Sequence, residues 1–357
     1  MAMRRVGVLC ALLLTLAAAG AEAAALPRPA GLPRAIPGWA WTMYDWHATP
    51  VPSRGARPAA PRRLPAWYWL WRTWRTSMRP QPALPSESAA VYDGIGTWVD
   101  IFDAGVLSKP ESSAAAMSLR GVSTLFLETS NSKQKTDLVR ADALGTLIEA
   151  AHAYGIHVVG WYLPTLTAPR TDLRRALAAI AFRTPAGDAF DSFALDIESS
   201  AVKNVALRNQ RLLTLADSLR TSTPAGYALG AIVPSPVGMQ IHPTYWPDFP
   251  WTQLAQDFDA FVPMAYYTYR PRKPDEVYRY AADVIGQIRA ATGAPQLPIH
   301  IVGGIANRST AAAAAVFVQA ASDCGAAGTS LYDFATTAPA AWDALAAFAP
   351  AVDAATC

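Results

Sequence analysis

Three consecutive segments decide the fold: Ser123-Thr124-Leu125-Phe126-Leu127-Glu128, the Ala/Leu-rich run over 142–154, and His157-Val158-Val159-Gly160-Trp161-Tyr162-Leu163. The outer two are short, β-branched and aromatic, whereas the middle one repeats its apolar residues with helical spacing. A strand, a helix and a second strand in that order are the unit of a parallel sheet, because parallel neighbours need a crossover between them. Working outward, the same cycle recurs eight times from Gly96 onward. Strands are expected at 98–102, 123–128, 157–163, 193–198, 227–233, 258–266, 299–304 and 329–334. Helices are expected at 142–154, 171–182, 202–220, 274–291, 310–322 and 340–348. Eight strand–helix units in about 255 residues predict an α/β fold of the single (β/α)8 TIM-barrel class. A doubly wound open sheet shares the alternation but wants a Gly-rich phosphate turn after an early strand. Here the first strand runs instead into Asp100-Ile101-Phe102-Asp103-Ala104-Gly105.

The barrel is expected over 93–357, and two different segments precede it. Residues 1–25 read as a secretory signal peptide: Arg4-Arg5, an apolar run over 6–20 too short to span a bilayer, then Ala-x-Ala sites at Ala21-Glu22-Ala23 and Ala23-Ala24-Ala25. The mature chain is therefore expected in a secreted or periplasmic location, with no membrane span. Residues 26–92 form a basic, Trp/Pro-rich arm. Over 26–80 nine Arg stand against the single Asp45, a net of +8, and seven of the twelve Trp lie between Trp39 and Trp74. Trp67, Trp71, Trp74 and Met78 make one stripe of a helix, expected to dock on the body while Arg72, Arg75 and Arg79 stay solvated. Residues 81–357 hold 19 Lys/Arg and 25 Asp/Glu, a net of −6, so the whole-chain charge of +3 describes neither part.

With 52% hydrophobic and 16% charged residues the chain is no candidate for intrinsic disorder. No zinc-finger spacing, helix-turn-helix signal or RNA-binding signature points to a nucleic-acid partner. Once the leader is removed two cysteines remain, Cys324 and Cys357, a candidate disulfide in an oxidising compartment; the alternative is one buried and one frayed thiol. A barrel would put that bridge at its bottom, away from any active site. The chain is expected to act as a monomer.

Barrel enzymes work at the C-terminal ends of their strands. Those ends carry Asp103, Glu128, Trp161-Tyr162, Asp196 with Glu198, Pro234-Ser235, Tyr266-Tyr267, Gly303-Gly304 and Asp333. No His cluster or Cys pair suggests a metal, and no strand lysine offers a Schiff base, so no cofactor is expected. Acids with aromatic platforms suit glycosidic-bond cleavage: a proton donor, stabilisation of an oxocarbenium-like centre, and flat faces for sugar rings. In strand four, Ser192, Ala194, Asp196 and Glu198 share one face, while Phe193, Leu195 and Ile197 share the other. The small and acidic face should point into the barrel. There two confined carboxylates cannot both ionise cheaply, and the one left protonated is a general acid. The loop before strand six holds Tyr245-Trp246-Pro247, in which Trp246 either stacks on a sugar chain or packs the loop onto the barrel.

Strand four, D-x-x-A-x-D-x-E from Asp191 to Glu198, resembles the D-x-x-D-x-D-x-E signature of family 18 glycoside hydrolases, the chitinases and chitinase-like proteins. Met264-Ala265-Tyr266 resembles that family's M-x-Y. The resemblance implies Glu198 as catalytic acid, Asp196 as the residue that positions a 2-acetamido group, and Tyr266 as the residue that steadies it. It departs at Ala194, where the family carries Asp; at Tyr267, where it usually carries Asp or Asn; and at Tyr332, near its usual Trp floor. Substrate contacts are expected from Glu128, Trp161, Tyr162, Tyr267, Trp246, Tyr332 and Asp333. Strand seven ends Gly303-Gly304-Ile305 without an acid, which weakens a two-carboxylate retaining scheme and leaves substrate assistance, although Glu128 or Asp333 remains available as a second carboxylate. The expected function is a secreted glycoside hydrolase acting on a polysaccharide or cell-envelope glycan that contains N-acetylhexosamine. The alternatives are a catalytically silent glycan-binding barrel and an envelope scaffold.

Overall fold

The computed structural model describes residues 30–33, 65–68, 70–71, 89–269, 273–350 and 357. The leader over 1–25 and most of the arm, including Trp74 and Met78, lie outside the described residues. Of the Trp stripe, Trp71 is buried and Trp67 half-buried.

Eight strands follow one another round a closed parallel barrel: β1 Gly94–Val99, β2 Val122–Asn131, β3 His157–Leu163, β4 Ser192–Asp196, β5 Leu229–Pro234, β6 Ala260–Met264, β7 His300–Ile305 and β8 Gly328–Tyr332, the last pairing with β1. The crossovers carry α1 Ala104–Leu107, α2 Pro110–Leu119, α3 Ala141–His152, α4 Pro169–Ala181, α5 Val205–Ser222, α6 Pro236–Ile241, α7 Trp251–Asp257, α8 Pro274–Thr292 and α9 Ala311–Asp323, and α10 Pro339–Leu345 follows β8. Local chemistry sets these helices. Asn204 and Thr310 accept hydrogen bonds from the amides of Leu207 and Ala313, closing the starts of α5 and α9. Proline opens α2, α4, α6, α8 and α10, where its missing N–H costs nothing. In α3, Leu144, Leu147, Ile148 and Ala151 form the buried stripe that lies on the sheet. Among the described residues no helix is long and apolar enough to cross a membrane.

The alternation of the strands divides the core into two layers. Phe193, Leu195 and Ile197 of the β4 region join the layer between sheet and helices, and Ala194 joins Trp98, Phe126, Val159, Ile232, Val262 and Val302 inside the barrel. The first strand is corrected: it spans Gly94–Val99, not 98–102. Its glycines read as a loop, yet Gly96 is required inside the barrel, because a Cβ there would collide with the His300 imidazole.

A stopper closes the N-terminal end of the barrel. The 3-10 turn Ala89–Tyr92 pushes Val91 and Tyr92 into the interior, so these two and the half-buried Ala89, assigned to the arm, pack with the barrel. The Tyr92 hydroxyl and Ser192 Oγ are hydrogen-bonded at 2.7 Å, and Thr124 Oγ1 donates to the Val91 carbonyl at 2.9 Å. Burial pushes His300 down to about 4. Its ring is therefore neutral at pH 7, and Nδ1 donates to the Tyr92 carbonyl at 2.8 Å. At the same end Cys324, following α9, is bonded to Cys357 with the two Cα atoms 5.5 Å apart, and the Cys357 main chain lies on Gly286 of α8.

Candidate active site

At the opposite end, β4 delivers two acids in succession. The amide of Ile197, one residue past β4, still donates to the Ile232 carbonyl at 2.7 Å. Asp196 is 7% exposed, and its Oδ1 has no hydrogen-bond partner. Burial, then the charges of Glu198 and Glu128, push its carboxyl well above the ordinary range. Glu198 is half-buried and likewise raised by burial. Tyr266, just past β6, packs against the cluster inside the barrel and is lifted by burial and then by the charges of Asp196 and Glu198.

Glu128 lies within the buried stretch of β2, which continues through Ser130. Its Oε2 accepts from the Ile101 amide at 3.1 Å and its Oε1 from Asn131 Nδ2 at 3.2 Å. Burial raises it to about 7 in spite of those bonds, with Asp100 and Asp103 adding to the rise. Trp161 lies inside the barrel with its Nε1 unpartnered, edge-on to Trp98 at 5.9 Å. Trp98 stacks on Phe126 at 4.2 Å, reaches Tyr332 at 6.0 Å, and donates from Nε1 to Ser330 Oγ at 2.9 Å. An aromatic floor therefore underlies the acids. The Tyr332 hydroxyl donates to Asp100 Oδ2 at 3.0 Å, and Asp333 follows at the same corner, its Oδ1 accepting from the Thr336 amide at 2.9 Å.

Three expected contacts are corrected. Tyr162 and Tyr267 lie in the outer layer: in β3 consecutive residues face opposite ways and Trp161 takes the inward position, whereas Tyr267 opens the 3-10 turn Tyr267–Tyr269 that follows β6. The Tyr162 hydroxyl donates to Asp172 at 2.7 Å, and the Tyr267 hydroxyl is bonded to Ser309 Oγ at 2.6 Å. Trp246 packs the loop onto the barrel. It is buried, donates from Nε1 to Asn209 at 2.6 Å, and lies under the Arg208 guanidinium at 4.1 Å.

Four further residues belong to the mouth. The Tyr245 hydroxyl donates to the Glu198 carbonyl, and Glu198 and Asp196 add to the effect of burial in raising that phenol to about 12. Asp100 and Phe102 follow β1, Phe102 being 68% exposed, and Trp98 forms the floor. A strand read as ending at Val99 would have marked Asp100 as a strand-end acid. Asp100, Asp103 and Asp333 each place a carboxylate oxygen within 4.8 Å of the others, the described carboxylates close enough to share a cation. Burial and the charges of Asp100 and Asp333 raise Asp103 to about 6, although the Asp100 amide bonds it.

No family model and no curated protein matches the sequence. Among solved structures, the spore cortex-lytic enzyme SleL of Bacillus cereus superposes with a TM-score of 0.54 at 11% identity, over 72% of this chain and 75% of that one. A chitinase from Chromobacterium violaceum gives 0.52 at 14%, over 71% and 98%. The endo-β-1,4-mannanase of Thermotoga petrophila gives 0.53 at 11%, over 70% and 69%. At such identities the likeness is one of fold: the chain shares their (β/α)8 barrel.

Proposed function

We propose that the chain is an exported glycoside hydrolase that cleaves a polysaccharide containing N-acetylhexosamine. Glu198 protonates the glycosidic oxygen, Asp196 orients and stabilises the 2-acetamido group, and Tyr266 hydrogen-bonds it. The observation that supports this reading is the buried Asp196 at the end of β4, its Oδ1 without a partner, with Glu198 two residues on and Tyr266 packed against the same barrel interior. Burial raises both carboxyls above their ordinary range, the direction a general acid requires. The floor of Trp98, Trp161 and Tyr332 supplies flat apolar faces for sugar rings. Export rests on the leader over 1–25.

Glu198→Gln is expected to lower turnover of the polymer at least about 100-fold while leaving binding in place. Full activity in that variant would refute the assignment. One observation favours a second reading, a glycan-binding barrel without turnover: Ala194 stands where the resembled signature has Asp, and Asp196 Oδ1 is left without a partner. Oligosaccharide binding with no reducing ends released over time would establish that reading instead.

A further inference from the structure

The 3-10 turns Tyr267–Tyr269 after β6 and Ala306–Arg308 after β7 stand side by side at the mouth. Three consecutive residues of the first join it to the chain around the second. The Tyr267 hydroxyl is bonded to Ser309 Oγ at 2.6 Å, the Ile305 amide donates to Thr268 Oγ1 at 3.1 Å, and the Arg308 guanidinium lies over the Tyr269 ring at 5.2 Å. Gly304, at φ +123°, is required for this docking, since a Cβ there would collide with Thr268 Oγ1. The first two contacts fasten the turns. The third lies in the open: Tyr269 is 58% exposed and Arg308 is exposed with it, where a cation–π contact adds little to the fold. Tyr269 also meets Tyr266, with ring centroids 6.1 Å apart and 35° between the planes. A positive charge therefore stands one aromatic ring beyond Tyr266.

Resting on the hydrolase reading, we infer that Arg308, backed by Tyr269, determines specificity: it grips a carboxylate of the hexosamine polymer, on or next to the sugar that Tyr266 holds. A guanidinium stays charged at every working pH. It carries five N–H donors in one plane, a fork that matches a carboxylate bidentately while the guanidinium face rests on an aromatic ring. Tyr269 adds an exposed aromatic surface for the sugar that bears the carboxylate. Overall charge cannot supply such a preference. Residues 81–357 carry a net of −6, so the body repels anions and the attraction has to be local. Two sources share this chemistry, an ether-linked lactate on the hexosamine itself and a neighbouring uronic acid.

The test is calorimetric titration of the full chain carrying Glu198→Gln, at low and high salt. The probes are oligosaccharides that alternate N-acetylglucosamine with N-acetylmuramic acid or with glucuronic acid, each as the free acid and as its neutral methyl ester. In one series the free acid should bind at least about tenfold tighter than its own ester at low salt, with a smaller margin at high salt. The series that does so identifies the source of the carboxylate. Adding Arg308→Gln should erase most of the margin. Arg308→Lys, which keeps the charge and loses the fork, should retain part of it, with thermal melts confirming that each variant is folded. Equal binding of acid and ester in both series, binding of neither, or a margin that survives Arg308→Gln overturns the inference. So does a loss in Arg308→Gln shared equally by acid and ester, which would make Arg308 a tie between the turns. Wild-type chain is incubated with the same oligomers in parallel. Acid-selective binding without product keeps the anion site and removes the hydrolase reading, whereas cleavage without acid preference does the reverse.

Discussion

Tyr266 and Tyr267 are consecutive in the chain just past β6; Tyr266 packs against the barrel interior, and Tyr267, which opens a 3-10 turn, joins the layer behind it. Tyr266→Phe is expected to cut turnover at least about tenfold, since it deletes a donor aimed at the reacting group. Tyr267→Phe should leave turnover near normal and lower stability by about 1 kcal/mol through loss of the Ser309 bond, read from rates and denaturant midpoints. The acids were legible in the sequence because period-two spacing fixes the face that Asp196 shares with Ala194, whose inward burial the structure gives. The aromatic pairs were not. Residue type says that Trp161-Tyr162 and Tyr266-Tyr267 are large and apolar, but only strand register for the first pair, and the turn after β6 for the second, says which member faces in. Trp246 was illegible for another reason: its partners Arg208 and Asn209 come from α5, far away in the chain.

At the scale of elements, the segments with strong alternation, β3 among them, were read to within a residue or so. β1 was misplaced because its need for glycine arises from His300, a contact that local sequence does not contain. The loop after α6 reaches the site through one bond, from Tyr245 to the Glu198 carbonyl. Tyr245→Phe should therefore reduce kcat several-fold with little change in fold stability, a net loss of about 1 kcal/mol in positioning, checked by steady-state kinetics beside a thermal melt. A different pairing fastens α3 to the bottom of the sheet. His152 bonds Asp188 at 3.1 Å and Asp191 at 2.9 Å, and Asp191 also accepts from the Val158 amide at 2.7 Å. Burial alone would depress His152, but the two carboxylates outweigh it and hold the ring at about 9. Raised above its unfolded value of about 6.5, the ring contributes stability that is complete below pH 6.5 and is lost as pH climbs toward 9, about 3 kcal/mol in all. Unfolding in urea across that range should show the decline, and His152→Gln should abolish it.

For the whole molecule, charge and fold divide at nearly the same place: a basic arm, then an acidic barrel whose mouth concentrates carboxylates. The alternation in the sequence was enough for the barrel, because eight strand–helix units have few other ways to bury both faces of a parallel sheet. It could not reveal how the barrel is sealed, since Tyr92 fills the space above Gly230 and bonds Ser192 only after the sheet has closed. That seal has a practical meaning for anyone trimming the arm. A chain beginning at Ala89 keeps its cork. One beginning at Gly94 opens the vessel from below, wetting His300, Thr124 and Ser192 and loosening the layer on which Asp196 and Glu198 rest. The shorter chain should melt well below the longer one and lose turnover with it, although neither cut comes near the mouth.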